Sequence, residues 1–414
     1  MQGSEANPPG DAERPLRVAV LSELPTPYRW PLFERLGRRA GLDLTVFFYA
    51  RTEADRDWGL DVGNDVGHDA GKDGTTDGTR VVFLAGKAIP VRGKRSLFFH
   101  WNPDIVRHLA AGQFDVVVVP GWSMPTTWRT ILWCRLHRVP YVLFSETHAR
   151  SARPWWLRAV KRVLLRPLIG GARAWLATGT WSEEFLAAHG AVRDRTFRFA
   201  NTPDVEAFAT RVDAARDQRA ATRATWGLPE DALVALFVGR LIGVKDVRTV
   251  LAAHATLRAE HPRLWLLVIG DGSEGPDLRA EFEGEGVVFT GALRPDALPA
   301  QFAAADLFVL PSVHEPWGVV VNEAMAAGLP VVLSDRVGAG GDLLQDGRNG
   351  RAVPCGDVPA WRTALQEYLR EPERCRAHGA ESRRIVAGWG YGPSVEGFEQ
   401  AVRSAAGRAD TRAS

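Results

Sequence analysis

Residues 307–333 read LFVLPSVHEPWGVVVNEAMAAGLPVVL. Four apolar residues, Leu307–Leu310, stop at Pro311-Ser312, a turn signal. Gly318 opens the segment to Ala327, which has the length and composition of a helix, and Gly328-Leu329-Pro330 ends it. A second apolar run to Leu333 follows. Buried strand, helix and buried strand in that order form the repeating unit of a parallel sheet covered on both faces.

The same alternation runs along the whole chain. Before it, Arg17–Leu21, Leu42–Tyr49, Val116–Val119, Tyr141–Phe144 and Ala174–Ala177 read as strands, with helices expected at Pro31–Ala40, Trp101–Ala111 and Thr126–Arg138. In the second half, Leu233–Val238, Leu264–Ile269, Val287–Thr290, Leu307–Leu310 and Pro330–Leu333 alternate with helices at Val247–Glu260, Glu274–Glu283, Leu298–Ala304 and Val319–Ala327. The expected fold class is α/β, with two doubly wound Rossmann-like domains. Their limits are read as 15–205 and 231–385, after a flexible N-terminus at 1–14 and joined by a polar linker at 206–230. A C-terminal helix at 386–406 follows the Trp389-Gly390-Tyr391-Gly392 hinge. Residues 55–80 are read as an insertion in which Asp61–Arg80 carry an Asp-led tetrad repeat, DVGN-DVGH-DAGK-DGTT-DGTR. Calcium coordination is one reading of it; a flexible, solvated insertion is the favoured one, since so much Gly and so few apolar groups cannot offset ordering.

The 414 residues suit two domains of about 200 each. With 51 Lys and Arg against 49 Asp and Glu, net charge gives no argument for a nucleic-acid partner. Three scattered cysteines (Cys134, Cys355, Cys375) make no zinc or C-x-x-C spacing and suit a reducing compartment. Met1–Arg14 lacks the apolar core of a signal peptide, and no apolar run reaches the ~18 residues of a membrane span. A cytoplasmic protein is expected, with peripheral contact at the inner membrane face left open.

The chemistry gathers in the second half. Glu315 lies in the loop before the 319–327 segment and Glu323 inside it, so two carboxylates flank a helix amide end, where phosphate binds readily. Read alone, the pair is better described as solvated glutamates on a capped helix. Arg240 and Lys245 follow the strand Leu233–Val238, at the strand end where α/β sheets bind ligands. A planar fork and a compact ammonium together suit a diphosphate. Gly270-Asp271-Gly272 follows the next strand and allows close approach of a base or ribose. No Asp-x-Asp pair occupies a suitable loop, so no metal is expected.

In order, VGRLIGVK (238–245), IGDGS (269–273), GALRPDALP (291–299), PSVHEPWGVVVNEAMAAGLPVV (311–332) and DLLQDGRNG (342–350) resemble the family 4 retaining glycosyltransferases. Asn201-Thr202-Pro203-Asp204 adds to the likeness, which is specific over about residues 230–355 and only general in the first half. The resemblance implies a GT-B fold: two Rossmann-like domains facing a central cleft, with the C-terminal helix crossing back to the first. It implies transfer of a sugar from a UDP- or GDP-linked donor to an acceptor hydroxyl on a glycan, lipid-linked or small molecule. The configuration would be retained, and no cofactor is implied beyond the donor. By position, Arg240 and Lys245 would hold the diphosphate, Glu315 the sugar hydroxyls and Glu323 the ribose. The backbone at Trp317, Gly318 and Val319 would meet the phosphates, with Gly270, Asp271 and Gly272 near the nucleoside. Many members carry a His after the strand matching Tyr141–Phe144; here Glu146 is the best placed, with His148 two residues on. Asp342 replaces the usual Glu. Leu24–Arg29 replaces the usual Gly-rich first loop, so Tyr28 and Arg29 would lie toward the acceptor or in a plain turn. The basic, aromatic segment Arg153–Arg166 fits either an anionic membrane surface or a core-packing helix. Rival readings on the same architecture are a sugar-nucleotide epimerase or hydrolase and a non-catalytic carbohydrate- or membrane-binding protein.

Overall fold

The computed structural model describes residues 14–52, 74–76, 78–90, 98–150 and 155–408, with Gly74, Thr76, Pro90, Phe98 and 155–160 described by backbone alone. The N-terminal segment and most of the Asp-led insertion lie outside them. In the first half the strands are β1 (Leu16–Ser22), β2 (Leu42–Phe48), β3 (Gly74–Thr76), β4 (Thr79–Phe83), β5 (Lys87–Pro90), β6 (Phe98–Trp101), β7 (Val116–Pro120), β8 (Tyr141–Ser145), β9 (Ala174–Ala177) and β10 (Thr196–Arg198). All but β5 and β6 join one sheet in the order β10-β9-β8-β7-β1-β2-β4-β3, while β5 and β6 form a separate hairpin. Two differences from the sequence reading stand out. The last tetrads of the insertion end in strand, β3 pairing antiparallel with β4. Trp101 closes β6 rather than opening a helix, which starts only at Ile105, after Pro103 and Asp104.

The second half adds β11 (Leu233–Val238), β12 (Leu264–Ile269), β13 (Val287–Gly291), β14 (Leu307–Leu310), β15 (Val331–Ser334) and β16 (Gly350–Val353). They form a sheet in the order β13-β12-β11-β14-β15-β16, with every pairing parallel. The chain therefore enters at β11, builds outward through β12 and β13, then returns to the other side of β11 with β14. Strands β11 and β14 are buried along nearly their whole length, as continuous apolar runs between two helical layers must be. Phe237, Phe302 and Phe308 sit in that core, with Phe302 packed edge-on against Phe208 at 5.4 Å.

Residues 206–230 are not an irregular linker. They form helices at Val205–Ala215 and Arg219–Thr225 with a short turn between. Val205, Phe208 and Val212 face inward, and Arg223, only 2% exposed, donates to the carbonyls of Ala304, Pro229, Glu230 and Ala232. Its remaining nitrogen and that of Arg219 bind Asp306, whose carboxylate also takes the Val234 N–H. A guanidinium spanning several carbonyls does here what an apolar anchor would ordinarily do.

The described residues divide into two compact units, one holding those up to Leu143 with Ala172–Ala174 and the chain from Val402, the other holding Phe144–Gly171 and Trp175–Ala401. The long last helix, Tyr391–Ala406, is anchored within the second by Ser394, which accepts the Ala200 N–H, and by Phe398 against Phe199 at 5.5 Å. Gly397 is required there: a Cβ would come 2.0 Å from the Arg198 carbonyl oxygen.

Candidate functional site

The return from β13 to β14 makes β11 and β14 the place where strand order reverses. Outside the carboxyl ends of such a pair the following loops part in opposite directions and leave a crevice. The loop after β11 carries Arg240 and Lys245; the loop after β14 carries Glu315. The structure brings the last two together, Lys245 Nζ donating to Glu315 Oε2, with the side chains 17% and 13% exposed. Backbone bonds hold the loops in place. The Val313 N–H reaches the Val244 carbonyl (3.0 Å), the Glu315 N–H the Arg336 carbonyl (3.2 Å), and the Gly338 N–H the Glu315 carbonyl (2.9 Å). Arg240 lies half-buried between Gly239 and Leu241, whose N–H groups bond Ile269 and Asp271 carbonyls.

Close packing explains Gly270 and Gly272. A Cβ on Gly270, at φ +137°, would lie 1.9 Å from the Gly239 oxygen, and one on Gly272 would lie 2.3 Å from the Leu241 oxygen. These glycines let one loop rest on the other, while Asp271 turns its carboxylate to the Gly272 N–H.

Gly318, at φ +96°, starts the helix Val319–Ala326, and no side chain caps its amide end. An uncapped first turn leaves N–H groups for an anion. Glu323 lies in the same helix, half-buried, and burial pushes its carboxyl up to about 7, against the opposing pull of Arg211. Trp317 is only 3% exposed; its indole N–H donates to Asn322, its ring stacks on Trp389 at 5.3 Å, and Asn322 in turn reaches Thr202. The side chain of Trp317 is thus a packing element, leaving its backbone as the part open to the role read from sequence. Asn322 and Thr202 lay inside the quoted motifs, but only the fold reveals the link between them.

His148, 2% exposed, comes from the loop after β8 and meets this region. Its Nε2 lies 3.0 Å from the Glu315 carbonyl oxygen. A carbonyl only accepts, so Nε2 carries the proton. Burial lowers the ring's pKa and so favours the neutral form, whose lone pair lies on Nδ1; that buried atom has no hydrogen-bond partner among the described residues. Glu146, half-buried, stands two residues earlier. Asp342 accepts both the N–H (2.9 Å) and the hydroxyl (2.5 Å) of Thr180, so it caps the helix Thr180–Ala188. Tyr28 and Arg29 lie in the turn that leads from β1 into the helix Trp30–Gly37, the Arg29 N–H bonding the Thr26 carbonyl.

Residues 218–385 match the family described as glycosyl transferases group 1. This part of the chain is similar to the group 1 glycosyl transferases. Around it, the chain is 31% identical over 317 residues to a sulfoquinovosyl transferase, SQD2, of Arabidopsis thaliana, covering 74% of this chain and 58% of that protein. It is 33% identical over 198 residues to a D-inositol 3-phosphate glycosyltransferase of Rhodococcus jostii, covering 45% and 44%. The chain thus spans about half the length of these relatives. Among solved structures, a sucrose-phosphate synthase of Thermosynechococcus elongatus superposes with a TM-score of 0.69 at 20% identity, covering 94% of this chain and 98% of that one. The Anabaena protein Alr3699/HepE, solved with UDP-glucose, gives 0.66 at 16% identity, covering 93% and 98%. The chain therefore has the GT-B fold of these structures. Among its described residues no helix is long and apolar enough to cross a membrane.

Proposed function

We propose that the chain transfers a sugar from a nucleoside diphosphate to an acceptor hydroxyl, retaining the anomeric configuration and using no metal. The observation that carries the proposal is the buried Lys245–Glu315 pair at the strand-order reversal, beside an uncapped helix amide end. Lys245, Arg240 and the amides of Val319 and Val320 supply positive charge where a diphosphate gains negative charge as it departs. Charge placed in advance stabilises the transition state more than the ground state. Glu315, already tied to Lys245, would accept from hydroxyls of the donor sugar, and Glu323 from the ribose. In the transfer, the bond from the anomeric carbon to the phosphate oxygen breaks and one to the acceptor oxygen forms on the same face. The acceptor proton passes to the departing phosphate.

This front-face route fits the carboxylates, since Glu315 is paired and Glu323 is partly protonated near neutrality, which leaves neither a good covalent nucleophile. Of the groups after β8, His148 is the better candidate for the donor sugar, because its ring reaches the backbone of the Glu315 loop. UDP-sugars are the first donors to test and GDP-sugars the second, given the UDP-glucose held by the Anabaena neighbour. A thermal-shift screen of nucleoside diphosphates and their sugars tests the site, since a ligand at 100 times its Kd adds about 2.7 kcal/mol of stability. No response to any of them rejects the donor site, and an inverted product anomer in NMR rejects retention.

A further inference from the structure

Six of the ten large apolar side chains exposed among the described residues lie in one region of the first unit. Hairpin β5–β6 pairs Ile89 with Phe99 and Lys87 with Trp101, which places these four on one face; Ile89, Phe99 and Trp101 are 50%, 40% and 38% exposed. His100, between the two aromatics, points inward and is 1% exposed. The neighbouring helix Pro125–His137 exposes Trp128 (50%), Leu132 (58%) and Leu136 (71%), one stripe at every fourth residue. Its opposite side buries Ile131 and Cys134, so this helix is apolar on both faces. The Arg129 guanidinium lies over the Trp101 ring, 5.5 Å from its centre, and joins hairpin to helix.

The two segments that build this surface carry charge of one sign. Neither residues 85–103 nor residues 116–145 contain an Asp or Glu, whereas Lys87, Arg129, Arg135 and Arg138 are basic. Asp104, the acid bordering the hairpin, accepts the Ala85 N–H. A contiguous exposed apolar patch marks an interaction surface. We propose that this face rests on the interface of an anionic lipid bilayer. Trp101 and Trp128 suit the headgroup level, Leu132, Leu136, Ile89 and Phe99 enter the acyl boundary, and the cations meet lipid phosphates. A symmetric contact with a second copy would set Arg129, Arg135 and Arg138 against their own like charges.

The full chain is floated with vesicles of phosphatidylcholine mixed with phosphatidylglycerol, and with phosphatidylcholine alone. Binding is expected to the mixed vesicles, much weaker binding to the neutral ones, and release by salt. Replacing Leu132→Ser with Leu136→Ser should weaken binding roughly tenfold or more. The melting temperature should hold, because both side chains are already exposed. Lys87→Gln with Arg129→Gln should weaken binding to anionic vesicles only. Failure to bind mixed vesicles, equal binding to neutral ones, or unchanged binding by the leucine variant overturns the proposal. So does a dimer in sedimentation that the leucine variant dissolves, which would assign the face to a second copy.

Discussion

Replacing Lys245→Met keeps the side chain's length and removes its ammonium, which isolates the charge. In the folded protein this leaves Glu315, 13% exposed, without its cation. Breaking a buried pair from one side costs about 3–5 kcal/mol, and the residual solvent contact here argues for the lower end. The cost to ligand is separate: one charge-assisted contact to phosphate is worth about 1.5–3 kcal/mol. That is a roughly 10- to 150-fold weaker Kd for a nucleoside diphosphate. Turnover should fall on the order of 10²–10³-fold, as when one oxyanion donor is removed. Glu315→Gln separates the roles, since it keeps Lys245 and should hold diphosphate affinity while losing what the sugar adds. With both changes, stability should partly return and diphosphate binding should not. Calorimetric titration with UDP and GDP, alongside urea denaturation of each variant, reads the two quantities independently. If Lys245→Met binds the diphosphates as the parent does, or the double variant recovers binding with stability, the pair is only a structural tie and the phosphate role is wrong.

Glu323→Gln should alter the pH dependence of stability. Between its ordinary value of 4.5 and about 7 the folded parent keeps a proton that the unfolded chain has released, so parental stability declines over that window as pH rises and levels off above it. The variant lacks this decline and should lead the parent by on the order of 2–3 kcal/mol above neutrality in denaturation series. Asp306→Ala leaves the buried Arg223 uncompensated and should cost about 3–5 kcal/mol by urea midpoint. For Gly270→Ala, the positive φ and the clash with the Gly239 carbonyl predict a loss of about 1–3 kcal/mol or more, with a lower melting temperature. Finally, transferase activity should persist undiminished in chelator; activity restored only by a divalent ion would end the metal-free mechanism.

The second sheet was readable from sequence because its strands are continuous apolar runs: Leu233–Val238 and Leu264–Ile269 appear with those same limits. Shorter or mixed strands escaped. Thr196–Arg198 and Gly350–Val353 hold too few apolar residues to register, and β16 exists because β15 offers it an edge. The helices at Val205–Thr225 escaped because their firmest anchors are arginines, whose burial depends on carbonyls brought close only by folding. At the site, spacing alone singled out Lys245 and Glu315, though not that they would bond. Counting residues after β8 left Glu146 and His148 side by side, and could not show that the His148 ring reaches the Glu315 carbonyl. The glycines of the 270–272 loop were read as allowing close approach of a base or ribose; the fold adds that they let this loop rest on the backbone of Gly239 and Leu241.

Gly179 precedes the helix that Asp342 caps, and its φ of −176° is one that any residue adopts. Space, not conformation, is what it lacks: a methyl group there would sit 2.3 Å from an Asp342 oxygen and 2.6 Å from the Trp317 ring. Three loops distant in sequence thus share one vacancy the size of a hydrogen atom. An alanine at position 179 therefore requires the Trp317 ring or the Asp342 carboxylate to move aside or shrink first.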